Sequence, residues 1–394
     1  MTRLIAWYKK NAYGDHGTRI PPLDGIRVLC ILLVAFFHVA YQQAWLMDIR
    51  IGSRVINVYP IFRTGYLWVD MTLLLSAFLL YLPYVEAQQK NKPNPPLWPF
   101  YKARIARVVP SVYLCVLVML LFVALPEKAY PDTGDMAKDI LAHLSFTFNW
   151  FPKTHLRTPL NGALWTLAVE MQFYLIFPFL ARSFRRRPLF TYGLMAGTAW
   201  AFRLYALSLP SPQMFFNQMP AFLDVYANGF VAAVVYKELK AKADESPWIR
   251  NLLLFSFLAA VAALYSLVLR QAQPTDHTLI QQGQMRIRFM QSVYSAVVLI
   301  AVSLGPGLIR VIFGNKLTYY LSSVSMQFYI YHQVLAVRLK KWGIPASIYP
   351  NPNQAGDRVW QRSYTALSLL LALLFAIALT YLFERPISKR LRKN

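Results

Sequence analysis

Ten runs of roughly twenty apolar residues, separated by short polar connections, restrict this chain to one class of fold. Twenty helical residues at 1.5 Å each cross a hydrocarbon core about 30 Å thick, and lipid tolerates only segments that satisfy their own backbone groups. The runs fall at 25–47, 65–84, 108–125, 162–181, 189–209, 216–236, 252–269, 289–304, 317–337 and 364–383. The expected fold is an all-α polytopic membrane protein of about ten transmembrane helices. Only 15% of the residues are charged, against about a quarter in a soluble domain, and the mean hydropathy is +0.36. The apolar stretch 140–151 is too short to span, and is expected to lie at the interface or to re-enter. No repeat is visible. The Pro-rich stretches 92–96 and 349–352 end helices without forming a domain.

Charge sets the expected orientation. With the N-terminus inside, the inner connections hold 25 of the 41 Lys and Arg residues, so both termini are expected on the cytoplasmic face of an inner or plasma membrane. The division expected is a cytoplasmic segment 1–24, a membrane domain 25–384 and a basic tail 385–394, with no cleaved leader and no separate extracytoplasmic catalytic domain. The net charge of +24 is scattered among short loops rather than gathered into a basic domain, which argues against nucleic acid. Cys30 and Cys115 lie in apolar runs and read as packing residues, and no metal-ligand cluster is visible.

Ionisable side chains inside such runs are costly and mark candidate sites. Arg27 stands at the mouth of the first run and His38 eleven residues deeper. That spacing puts them on one helical face, roughly 16 Å apart along the axis. Histidine is suited to exchanging a proton near neutral pH. Asp70, Glu170, Arg203, Asp224 and His332 fall, with His38, in the outer half of their spans, which suggests a polar chamber opening outward. Simpler readings stand beside these. Arg203 and Asp224, at matching depth on consecutive spans, read as a structural ion pair. Asp70 can brace a neighbouring helix and His332 can be a packing histidine. Glu170 can tether two helices or orient His38. Arg185, Arg186 and Arg187 read as a topology anchor that can also grip phosphate, and Asp24 as a helix N-cap.

The ordered motifs point further. Leu23-Asp24-Gly25-Ile26-Arg27, with His38 beyond it, is followed by Trp68-Val69-Asp70, Leu75-Ser76-Ala77-Phe78-Leu79 and Arg104-Ile105-Ala106-Arg107. Asn161-Gly162-Ala163-Leu164-Trp165 then leads into Val169-Glu170-Met171-Gln172-Phe173-Tyr174, and Tyr331-His332 and Phe383-Glu384-Arg385-Pro386 close the series. The set resembles the acyltransferase-3 family of integral membrane acyltransferases over nearly the whole chain. Ala77 stands where the family pattern has glycine, and Val28 where a glycine is common.

The resemblance implies ten spans with both termini inside, in a bacterial envelope. It also implies transfer of an acyl group, often acetyl, from cytoplasmic acyl-CoA to a hydroxyl of an envelope carbohydrate or glycolipid. No permanently bound cofactor is expected. Arg27 and His38 match the family's essential pair, and Asp70, Arg107, Trp165 and Glu170 match other recurrent positions. The expected mechanism has acyl-CoA docked on Arg27, Arg104, Arg107 and Arg185–Arg187, with its pantetheine arm threading the bundle. His38 acts as general base, its ring held by Glu170 or Asp70, and Asn161, Trp165 and His332 face the acceptor. A transporter or flippase for an anionic or saccharide substrate would use the same chamber and basic groups. A non-catalytic partner of a polysaccharide synthase is a third reading.

Overall fold

The structure, a computed structural model, describes residues 19–393; most of the expected segment 1–24 therefore lies outside the described residues. It is almost wholly helical. Among the described residues, eight helices are long and apolar enough to cross a membrane, and each coincides with an expected run. The protein is a multi-pass membrane protein.

The first of them, α1 (Pro22–Phe36), runs on as a π-helical turn over Phe37–Gln43. Pro22 starts it because the ring presets the helical φ where no amide donor is needed. Asp24 therefore sits inside the first turn and is not the N-cap expected from sequence; there it still complements the helix dipole. A hairpin of β1 (Asp48–Ile51) and β2 (Arg54–Asn57) follows, closed by a two-residue turn in which Gly52 takes φ +61°. Next come α2 (Trp68–Gln89) and α3 (Leu97–Met119).

The short run at 140–151 falls on the end of an amphipathic helix, α4 (Thr133–Leu144), and a 3-10 turn at Phe148–Trp150. Buried Asp139 holds this cap, accepting hydrogen bonds from Tyr130 Oη at 2.8 Å and Thr158 Oγ1 at 2.7 Å. Then follow α5 (Trp165–Arg186), α6 (Pro188–Ser208), α7 (Leu223–Glu245), α8 (Pro247–Gln271), α9 (His277–Leu304), α10 (Lys316–Lys341), α11 (Arg358–Leu379) and α12 (Arg385–Lys393).

Burial separates centre from rim. The most apolar stretches of α2 and α7 are 72% buried, against 22% for α8 and for the α11–α12 stretch. Helices buried on every side form a core, whereas helices apolar all round yet exposed face lipid. Close approach needs small residues. A Cβ on Gly65 would lie 2.1 Å from the Leu33 carbonyl oxygen of α1, and one on Gly229 of α7 would lie 2.6 Å from the Ala77 Cβ of α2. The methyl group of Ala77 thus fills space left by Gly229.

Two ion pairs lock the centre. Arg203 donates from both terminal nitrogens to the two oxygens of Asp224, the fork geometry that guanidinium and carboxylate favour. Arg288 Nε donates to Asp70 Oδ2 at 3.0 Å, both side chains fully buried.

Candidate active site

The site begins at the N-terminal end of α1. Arg27 donates from one guanidinium nitrogen to Ser322 Oγ at 3.1 Å and stands 3.9 Å from Asp24 Oδ1. Asp24 accepts from Ser322 Oγ at 2.9 Å and from Arg19 Nε at 3.1 Å. Arg27 lines a cavity of about 450 Å³ that also holds Arg104, Arg107, Ser76, Glu170 and Tyr174. Glu170 Oε1 accepts from Ser76 Oγ at 2.6 Å and from the Tyr174 hydroxyl. The Arg104 guanidinium lies 5.5 Å from the centre of the Tyr174 ring, in reach of its π face.

Below this cavity lies a surface cleft of about 630 Å³. The two spaces have Asp24, Arg27 and Arg107 in common. Arg385, Lys389 and Arg392, all from α12, supply much of the cleft's remaining charge. In sequence Arg385 reads as part of the closing motif and Lys389 and Arg392 only as a basic tail; their spacing along one helical face was the available signal. The Arg185–Arg187 cluster is placed elsewhere. Arg185 donates to Asn94 Oδ1 at 3.0 Å and to the Lys92 carbonyl at 2.9 Å, which ties down the Pro-rich loop. Arg186 and Arg187 are exposed at the end of α5, and none of the three lines the cavity or the cleft.

At the other end of α1, the π-helical turn carries His38. Its Nδ1 lies 2.8 Å from Gln42 Oε1. An amide oxygen only accepts, so Nδ1 carries the hydrogen and Nε2 keeps its lone pair. His38 lines a second cavity of about 460 Å³, with Asn161 and Trp165 among its walls. Asn161 caps the short helix at Gly162–Leu164 and donates to the Ile330 carbonyl at 2.5 Å. The Trp165 ring stacks 6.0 Å from Phe222. His332 packs behind His38, ring centroids 5.3 Å apart.

The expected ring-holders are therefore replaced. Asp70 is engaged by Arg288, and Glu170 by Ser76 and Tyr174. Gln42 takes the position beside His38, and sequence reasoning missed it because a neutral amide one turn from a histidine raises no flag.

Arg27, Ile31 and Val34 line the first cavity, whereas His38, on the π-helical turn that follows α1, lines the second. The expectation of one continuous thread between them is not met, because the two cavities are distinct and a hydrogen-bonded contact lies between their walls. Thr166 Oγ1 donates to the Tyr329 hydroxyl at 2.8 Å, and that hydroxyl donates to the Ala163 carbonyl at 3.3 Å. Thr166 and Tyr329 face the first cavity and Ala163 the second. A helical stripe fixes the direction of a side chain; it says nothing of what another helix inserts across it.

A family model described as an acyltransferase domain matches residues 20–385. The chain is 26% identical over 169 residues to the peptidoglycan O-acetyltransferase OatA of Listeria monocytogenes, covering 40% of this chain and 24% of that protein. It is 27% identical over 182 residues to the O-acetyltransferase OatA of Staphylococcus aureus, covering 43% and 26%. Over 171 residues it is 27% identical to the acyltransferase MdmB of Streptomyces mycarofaciens, covering 43% and 41%. The match thus spans less than half the length of each of these relatives. No solved structure matches the chain.

Proposed function

Because this chain belongs to the acyltransferase-3 family, we propose that it is a membrane O-acyltransferase. It moves an acyl group, acetyl by preference, from acyl-CoA to a hydroxyl of a cell-envelope carbohydrate. The observation that carries the reading is the pairing, at the two ends of α1 and its π-helical continuation, of a basic cleft and cavity at Arg27 with a separate cavity at His38. The acceptor class is suggested by the relatives named for peptidoglycan O-acetylation.

In this reading the phosphates of acyl-CoA dock on Arg27, Arg107, Arg385, Lys389 and Arg392, where charge-assisted hydrogen bonds are strongest. The pantetheine arm rises past Arg104 and Glu170. His38 Nε2 takes the proton of the acceptor hydroxyl as that oxygen attacks the thioester carbonyl. Asn161 and Trp165 hold the acceptor, and displacement of Tyr329 brings thioester and hydroxyl together. We place both termini on the cytoplasmic face, with α6 and α10 crossing as well, which makes ten spans. The tail 385–394 then closes the donor side of the domain.

Two cavities at opposite ends of a closed bundle also suit a carrier that alternates access, so the test must separate the two. Purified protein incubated with acetyl-CoA labelled in the acetyl group should consume the thioester, and His38→Ala should lose at least a hundredfold of that rate while staying folded. Parental turnover by His38→Ala sinks the base assignment. Solute movement without thioester consumption favours the carrier.

A further inference from the structure

His332 presents a buried imidazole with one nitrogen unaccounted for. It sits on α10 three residues beyond Tyr329 and is fully buried. Its Nδ1 lies 2.8 Å from the Tyr329 carbonyl oxygen and 3.2 Å from that of Phe328. Both oxygens only accept, so Nδ1 carries the hydrogen and Nε2 the lone pair. That Nε2 is buried and has no hydrogen-bond partner. A buried acceptor left without a hydrogen bond is costly and asks for a reason. Three rings surround it: Phe328 stacked at 5.9 Å, Tyr329 at 5.7 Å and, nearest, His38 at 5.3 Å and tilted 49°. Of these, only His38 gains a new N–H donor when it takes a proton, because Gln42 already occupies its Nδ1.

We infer that His332 is a positioning residue whose Nε2 shares with His38 the proton withdrawn from the acceptor hydroxyl. This rests on the reading of His38 as base. At 5.3 Å between centroids the rings are near enough for a rotation of His38 to bring its Nε2 within hydrogen-bond reach of His332 Nε2. The step balances. The acceptor O–H bond breaks as the oxygen–acyl bond forms and its proton passes to His38 Nε2; as the acylated oxygen releases its hold, a small turn of the His38 ring points the new N–H at His332 Nε2. The carbon–sulfur bond then breaks, and the proton passes from His38 to the departing thiolate. Both imidazoles return neutral. In the resting state the orphaned lone pair is an acceptor waiting for a donor that exists only during turnover.

Full-length protein in nanodiscs, with its histidines labelled in 15N, tests this without knowledge of the acceptor. On acidification, a nitrogen–nitrogen coupling across the shared proton should appear. It should vanish in His38→Ala and in His332→Phe and persist in His155→Gln. In thioester consumption, His332→Phe should lose about tenfold or more in kcat at unchanged KM. His332→Gln, whose amide oxygen restores an acceptor, should recover part of that loss. Two rings that titrate with no coupling overturn the pair, as does a folded His332→Phe with parental kcat. A coupling present while His38→Ala keeps parental turnover instead overturns the base assignment and leaves the pair a structural feature.

Discussion

At the scale of single residues, charge in an apolar run was the legible signal and neutral partners were not. Arg27, His38, Asp70, Glu170, Arg203, Asp224 and His332 stand out by chemistry alone, and the ion pair expected of Arg203 and Asp224 is present. Arg288 lies just outside the apolar run 289–304, yet its helix begins at His277, and Gln284, Arg288 and Gln291 are all buried. Which partner each buried group takes is decided by helix packing, which no spacing within a run records. Two substitutions follow. Gln42→Leu frees the Nδ1 of His38 and lets the ring turn, so kcat should fall roughly tenfold to a hundredfold with binding of acyl-CoA retained, as read from steady-state kinetics. Asp70→Asn leaves Arg288 buried without its counter-charge and should cost about 3–5 kcal/mol in thermal unfolding, whereas Asp70→Leu combined with Arg288→Met should restore most of it.

At the scale of elements, the apolar runs located the helices but not their irregularities. Among the described residues, three π-helical turns occur: Phe37–Gln43 and Leu120–Ala124 end α1 and α3, and Thr380–Glu384 joins α11 to α12. Such turns often sit at functional positions, and here the first carries both His38 and Gln42. They follow from tertiary contacts that override a uniform pattern, so hydropathy is blind to them. The cap formed by α4 and the turns after it was legible only as a run too short to span. Within it, burial pushes the His155 imidazole down to about 4, with repulsion from His143 adding to the effect. A lowered imidazole contributes stability that is complete above its ordinary 6.5 and fades as pH falls through about 4. Amide exchange over residues 133–158 should therefore quicken across that window, and His155→Gln should flatten the response.

For the molecule as a whole, the class of fold was forced by the apolar runs, and the cavities were not readable at all, because they belong to spaces between helices distant in sequence. The basic tail became a wall of the cleft only when α12 packed beside α3. Replacing Arg385, Lys389 and Arg392 together by Gln should raise KM for acetyl-CoA about tenfold and leave kcat near parental. The difference should shrink as salt screens the remaining exposed charges, which a series of ionic strengths would read. The Tyr329–Thr166 contact has one more consequence. If the chain transfers acyl groups across the bilayer as proposed, the path between the cavities would have to stay shut to protons between turnovers, and the Tyr329 phenol, hydrogen-bonded to Thr166 and to the Ala163 carbonyl, stands where the two cavities approach each other.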